Sequence, residues 1–383
     1  MKYSVKRPFR WLCCALLAAT AFTSCDMMEE DLSDCAYGLY VTFKYDYNLE
    51  RADMFNDHVG SVTLYAFDED GKLVMTQEES NAGGVAPLKD KTYTMHVTTL
   101  NPGKYKFIAL AGQRPYADML ADSRARFVRT DMAPGDDMTE LGIQLDRTPR
   151  GGTDTYDIIN NGLPLDTLWH GMLMEPVEVF SYESNRPSYA TIPLVRDTKK
   201  INVTLYQTDD PWTMDIANYD MTITDRNSTL LWDNAVDEST GTVVYTPHAT
   251  WNTEHENTVD QNQDPDPLGR VGRIGHADFM TSRFVYHTTT NGRGDVVADA
   301  SQNARLSIVN RKTGIEVVAV DLPDLLSKLR TSEDRYRYTE QEFLDRGYDY
   351  DVNIYLVGDK LNFIQIGIGV LGWTKRVQDE ELE

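Results

Sequence analysis

Short runs in which apolar and polar side chains alternate recur along most of this chain, with turn residues between them. Side chains of an extended strand point alternately to opposite faces, so each run buries one face and wets the other. Gly38-Leu39-Tyr40-Val41-Thr42-Phe43-Lys44-Tyr45 is such a run, with Leu39, Val41 and Phe43 on one face. Val62–Phe67 is another, and it meets Asp68-Glu69-Asp70-Gly71, a hairpin turn whose glycine can take positive φ. Further strands are expected at Tyr93–Val97, Lys104–Gly112, Glu140–Leu145, Val177–Tyr182 and Tyr189–Leu194. A second series runs through Ile201–Tyr206, Met221–Thr224, Val243–Thr246, Phe279–Tyr286, Leu306–Val309, Ile315–Val320, Val352–Val357 and Phe363–Leu371. Many short strands separated by turns predict a mainly β fold of the sandwich kind.

Helix signals are few. Thr339 as N-cap with Glu342 three residues on suggests a capping box, and Gly347 suits the far end. A shorter helix can follow Pro323 through Leu325, Leu326 and Leu329. Arg196-Asp197-Thr198-Lys199-Lys200 is polar and separates the two strand series. The boundary is placed there, giving an N-terminal sandwich over 37–196 and a C-terminal one over 197–383.

The beginning of the chain is of a different kind. Lys2, Lys6, Arg7 and Arg10 precede an apolar stretch, Trp11–Phe22, which is shorter than the ~20 residues a membrane span needs. Thr23-Ser24-Cys25 comes next, small residues ahead of a cysteine. Residues 1–24 therefore read as a cleaved lipoprotein signal, with Cys25 as the lipidated N-terminus. Asp26–Asp34 is acidic and poor in apolar residues, so 25–36 reads as a solvated spacer or a sorting address. With Cys13 and Cys14 lost and Cys25 acylated, only Cys35 remains, either a buried thiol or an intermolecular bridge. The formal net charge is −23, and removing a basic leader makes it more negative. Such a chain is not expected to bind nucleic acid or anionic lipid through bulk charge.

Few residues are set out for chemistry. The seven histidines are scattered and form no H-E-x-x-H motif. Asp260–Asp266 offers spaced carboxylates but lacks the glycine and closing glutamate of a calcium loop. No P-loop and no nucleophile elbow is present. Asn227-Ser228-Thr229 has the form of a glycosylation sequon, and Arg293-Gly294-Asp295, after the turn signal Asn291-Gly292, spells a tripeptide found in adhesion ligands. The expectation is a binding or assembly protein, not an enzyme, with no cofactor and no metal.

Cys35–Tyr47, Arg51–Phe55 and Val62–Leu73, together with Pro102-Gly103-Lys104-Tyr105, Ala111-Gly112, Arg196–Lys200 and Gly372-Trp373-Thr374, resemble the FimB-like fimbrial anchor family of Bacteroidales lipoproteins. The resemblance implies two tandem transthyretin-like, Greek-key β-sandwich domains with one or two short helices. It also implies a lipid-anchored subunit at the outer membrane that holds a fimbria at its base and ends its assembly. Stalk subunits of such fimbriae lose their first strand by cleavage after an arginine and accept a neighbour's strand in the opened groove, a case of β-augmentation. Arg51 is the arginine where this chain would be processed if it were a stalk or tip subunit; an anchor stays uncut. Ile364, Ile366, Ile368 and Val370 share one face of a strand and are candidates for a donor strand, the alternative being the closing strand of the second domain. The expected partners are fimbrial stalk subunits by strand exchange and the membrane through the lipid. The alternative function is a surface adhesin, or a stalk or tip subunit, that binds glycan or host protein through its aromatic side chains.

Overall fold

The computed structural model describes residues 37–152, 154–255, 271–370 and 373–380. The leader, Cys25, the acidic spacer, Cys35 and the Asp260–Asp266 loop lie outside the described residues. The fold is mainly β, as the alternation predicts: five sheets and five short α-helices among the described residues.

The first series builds a seven-stranded sheet in the order Leu73–Ser80, Ser61–Phe67, Gly103–Gly112, Leu168–Val179, Ser188–Arg196, Leu39–Lys44, Met95–Val97. Its central strands are covered on both faces. Ser61–Phe67 is buried at every position. Val62, Leu64 and Ala66 join one apolar cluster with Leu39, Val41 and Trp169, and Tyr65 and Phe67 join another that reaches into the second series. Gly71 takes φ +78° and its N–H bonds Asp68 O, closing the hairpin read from the sequence.

The second series builds a six-stranded sheet in the order Ala249–His255, Gly272–Ser282, Thr198–Gln207, Asp349–Val357, Lys360–Val370, Trp373–Glu380. A further six-stranded sheet runs Glu316–Asp321, Arg305–Asn310, Tyr219–Asp225, Thr242–Tyr245, Thr155–Asp157, Thr148–Pro149. Its last two strands come from the first series, with Thr155–Asp157 parallel to Thr242–Tyr245. In return Thr229–Leu230 pairs with Ile143–Leu145, beside Phe127–Arg129. The two series thus exchange strands across the 196/197 division.

Several expectations are corrected in detail. The strand read as Val177–Tyr182 begins at Leu168, with a register shift between Leu173 and Val177. The one read as Phe279–Tyr286 lies at Gly272–Ser282. Five helices replace one or two: Phe55–His58, Tyr116–Leu120, Leu322–Ser327, Ser332–Arg337 and Glu340–Arg346. The reciprocal capping box belongs to Thr331 and Asp334, whereas Thr339 only accepts from the Glu342 N–H. Gly347 ends its helix with an extended backbone (φ −80°), and a Cβ there would collide with the Tyr350 hydroxyl. Room, not a left-handed turn, is why glycine stands at this position.

Candidate functional site

The strand Leu39–Lys44 comes after the expected spacer and lies inside its sheet. It pairs in parallel with Ser188–Arg196 over six residue pairs and antiparallel with Met95–Val97 over three. Leu39, Val41 and Phe43 are buried, and Tyr40 and Lys44 face outward. Gly38 enters the strand at φ +85°, where a Cβ would stand 2.7 Å from Val97 O. On the outer face the Tyr40 ring stacks on His96 (4.4 Å between centroids) and on Tyr189 (5.7 Å).

The loop after this strand carries Arg51. Its ends are tied together by Met54 N–H to Tyr45 O (3.0 Å), and the Asp53 carboxylate accepts from the N–H groups of Tyr45 (3.0 Å) and Phe55 (3.1 Å). Inside it Asn48 is fully buried and donates to Tyr45 O (2.9 Å) and Ala52 O (2.8 Å). Arg51 itself has φ +54°, a left-handed conformation uncommon for a side-chain-bearing residue. Its guanidinium lies 3.9 Å from Glu333 and 3.7 Å from Asp334, on the helix Ser332–Arg337 of the second series. Flanking residues dock there too: Tyr348 donates to Glu50 (3.1 Å), and Arg346 stacks over Tyr47 (3.9 Å) and Tyr338 (4.6 Å). Sequence reading found Arg51 but missed every partner, because Glu333, Asp334, Arg346 and Tyr348 lie far along the chain.

Behind this loop stands the polar run expected to divide the domains. Arg196, Asp197, Thr198 and Lys199 are all buried. Asp197 alone separates Ser188–Arg196 from Thr198–Gln207, and its N–H bonds Leu168 O (2.9 Å). Lys199 Nζ donates to the carbonyls of Asp345 (2.9 Å) and Gly347 (2.8 Å). Arg283 grips the Asp345 carboxylate with two bonds, Nε–Oδ1 at 2.7 Å and Nη2–Oδ2 at 2.8 Å. Burial works against the Arg283 charge, but this carboxylate outweighs it and holds the guanidinium above its ordinary value. Burial also raises the Asp197 carboxyl and lowers the Lys199 ammonium. His170, buried with Nε2 3.0 Å from Trp232 O, is pushed down to about 4 by burial.

The remaining sequence candidates fall elsewhere. Ile364, Ile366 and Ile368 are buried in the core of this same chain, on a strand paired on one edge with Asp349–Val357 and on the other with Trp373–Glu380. In this arrangement both edges of the strand are taken up within its own sheet. The Val370 side chain lies outside the described residues. Asn227 of the sequon is buried and donates to Ser282 O and Arg283 O, so its amide is committed. Among the described residues no group of three or more His, Cys, Asp or Glu could hold a metal ion. An open groove of about 570 Å³ runs beside Phe127–Arg129 and Ile143–Leu145, lined among others by Arg129, Gln144, Arg147 and Tyr156.

The sequence profile of a family described as fimbrillin-A associated anchor proteins Mfa1 and Mfa2 matches residues 32–379. The chain belongs to this family. No curated protein matches it. A solved structure from Bacteroides thetaiotaomicron, described as a candidate adhesin, is 26% identical with a TM-score of 0.65, covering 91% of this chain and 100% of that one. A second from the same organism, described as a candidate polysaccharide-binding protein, is 25% identical with a TM-score of 0.61, covering 90% and 99%. The fimbrial anchor protein Mfa2 from Porphyromonas gingivalis shares the fold at 16% identity and a TM-score of 0.52, covering 90% and 100%. Membership in the fimbrial anchor family makes this chain a fimbrial subunit of the cell surface or envelope and points away from catalysis.

Proposed function

We propose that this fimbrial subunit is the base of its fimbria: a lipoprotein held in the outer membrane through Cys25, uncut at Arg51, which ends the polymer. The supporting observation is the closed state of the segment that a stalk subunit would lose. Leu39–Lys44 fills the place between Ser188–Arg196 and Met95–Val97, so the chain occupies its own groove. The Arg51 loop is tied at its base and docked on a distant helix. A protease that needs extended backbone must first open it, and exposed loop tips free of such ties are the preferred sites of nicking. The load path then runs from lipid through the spacer into an interior strand. Residues 26–36 reach at most roughly 40 Å when extended, which holds the body close to the bilayer. Each buried methylene of the acyl chains contributes ~0.8 kcal/mol, so more than one chain gives lasting attachment.

In this reading 37–196 and 197–383 are two sandwich units, the first lending Thr148–Pro149 and Thr155–Asp157 to the second. Stalk subunits are the partners, joined by strand exchange. Intact mass of the native protein tests lipidation and cleavage together. The expected species begins at acylated Cys25 and continues past Arg51; a chain starting at Ala52 would make it a stalk or tip subunit. Cys25→Ala should abolish lipid labelling and release the protein from membranes, and normal retention would refute the anchor.

A second reading, a surface protein that binds glycan, draws on the open groove. There Arg147 lies over the Tyr156 ring (4.0 Å) and Gln144 donates to Thr229 (3.2 Å), polar groups beside a ring face of the kind sugars use. Retention on a polysaccharide column, lost in Arg147→Ala, would favour it; co-purification with sheared fimbriae favours the anchor.

A further inference from the structure

We propose that the hairpin Thr288–Thr290/Val296–Ala298 is a receptor-binding loop. Its tip, Arg293-Gly294-Asp295, would be read by a cell-surface receptor of the integrin type, which joins a bound divalent cation to an acidic slot. This role is independent of anchoring. The tripeptide alone says little, since three residues recur by chance. Its place in the fold and the way it is held say more.

The two strands pair only with each other, Thr288 opposite Ala298, Thr289 opposite Val297 and Thr290 opposite Val296. Residues 288–290 and 292–297 are exposed, so among the described residues this ribbon stands out from the sheets as a sheet of its own. An isolated two-stranded ribbon is marginally stable in water, and this one is fixed at both ends. At its base Asp299 N–H bonds His287 O (2.9 Å), and His287 N–H bonds Asn303 Oδ1 (2.7 Å). The His287 ring reaches Glu238 at 3.0 Å, and Asn303 donates to Asp321 at 2.8 Å. At the tip Asn291 organises the turn. Its N–H bonds Asp295 O (2.9 Å), its carbonyl accepts from Gly294 N–H (3.0 Å), and its side-chain oxygen accepts from the N–H groups of Arg293 and Asp295, both at 2.9 Å.

Gly294 takes φ +89° with nothing within 4 Å of where a Cβ would stand. The glycine is therefore there for its backbone conformation, and it leaves an open saddle between a cation and an anion. Arg293 makes no ion pair among the described residues. The exposed Asp295 carboxylate accepts through Oδ2 from Asn291 Nδ2 at 3.2 Å, and its Oδ1 is left to solvent or a ligand. Carboxylate oxygen is the donor that hard divalent cations select, and a guanidinium matches a carboxylate slot in two-bond geometry. A loop already fixed in shape loses little freedom on binding.

The test uses the full-length protein, purified from membranes in detergent and immobilised, with the purified ectodomain of an Arg-Gly-Asp-reading integrin as probe in Mn²⁺. Saturable binding is expected. It should vanish with chelator, yield to a free Gly-Arg-Gly-Asp-Val peptide, and weaken by roughly thirty-fold or more in Asp295→Glu, which keeps the charge but moves the carboxylate by one methylene from where the cation meets it. Because the site is exposed, that variant should melt with the wild type, and peptide competition on the wild-type protein gives a readout free of any folding effect. Absence of binding by the wild-type protein, or binding that survives both Asp295→Glu and the peptide, overturns the proposal.

Discussion

The two strands that open the two series, Leu39–Lys44 and Thr198–Gln207, have the same kinds of neighbour and very different holds. Each pairs in parallel with a late strand of its series and antiparallel with a middle one. The first makes six parallel and three antiparallel residue pairs, the second eight and nine. The second is also continuous with a neighbour at its start, where buried Lys199 and Asp197 hold it in place. The first is secured chiefly by the Arg51 loop at its end and by that loop's distant partners. A strand with few pairs and a removable fastener is the easier of the two to open. A strand with nearly twice the pairs, continuous with its neighbour and anchored by buried polar groups, holds the rest of the chain together.

The sharpest way to break this contrast is Asp345→Ala. It strands the Arg283 guanidinium in the interior, and losing one partner of a buried pair costs about 3–5 kcal/mol. Urea unfolding should show a loss of that size; a change below about 1 kcal/mol would mean that the Arg283–Asp345 pair beside the second strand contributes no more than a surface ion pair.

Acid should act next, through His170. Its pKa is held down to about 4 in the fold against 6.5 when free, so between these values the unfolded chain takes up a proton that the folded one refuses. Stability therefore falls as pH drops from about 6.5 to about 4, by roughly 3 kcal/mol in all. In His170→Gln, whose amide can still donate to Trp232 O, that part of the pH dependence should disappear. An unchanged slope would remove His170 from the account.

Opening the first strand's fastener should be milder. Asn48→Ala takes the side-chain donor from Ala52 O and one of two donors from Tyr45 O, and should cost about 1–3 kcal/mol. The more telling readout is trypsin cleavage after Arg51, detected by mass, which should accelerate in the variant. Smallest is Glu333→Ala, an exposed ion pair worth about 0–1 kcal/mol, with little change in melting.

The alternation of Leu39–Lys44 and of Ile201–Tyr206 made both strands legible, because each buries one face. Leu168–Val179 was legible only at its end: Leu168, Trp169, His170 and Gly171 are all buried, so no alternation marks them. Ser332–Arg337 is a helix of polar residues, held by its cap and by tertiary contacts rather than by an apolar stripe. The isoleucines at 364, 366 and 368 show a different limit. Period two says that a face is buried, not in which molecule, and here it is buried at home. Arg51 was legible as a residue, but its restraint depends on Glu333 and Asp334, which no local pattern connects to it.

The strand exchange across the 196/197 division bears on the order in which the chain can complete its fold. A chain is made in order, so Thr155–Asp157, with Thr148–Pro149 paired to its other edge, is complete long before Thr242–Tyr245, its parallel partner. Ile143–Leu145 likewise waits for Thr229–Leu230. Pairings of such sequence separation form slowly and leave strand edges open in the interval. The early half therefore stays unfinished until the later one arrives, and neither half expressed alone would carry a complete set of pairings.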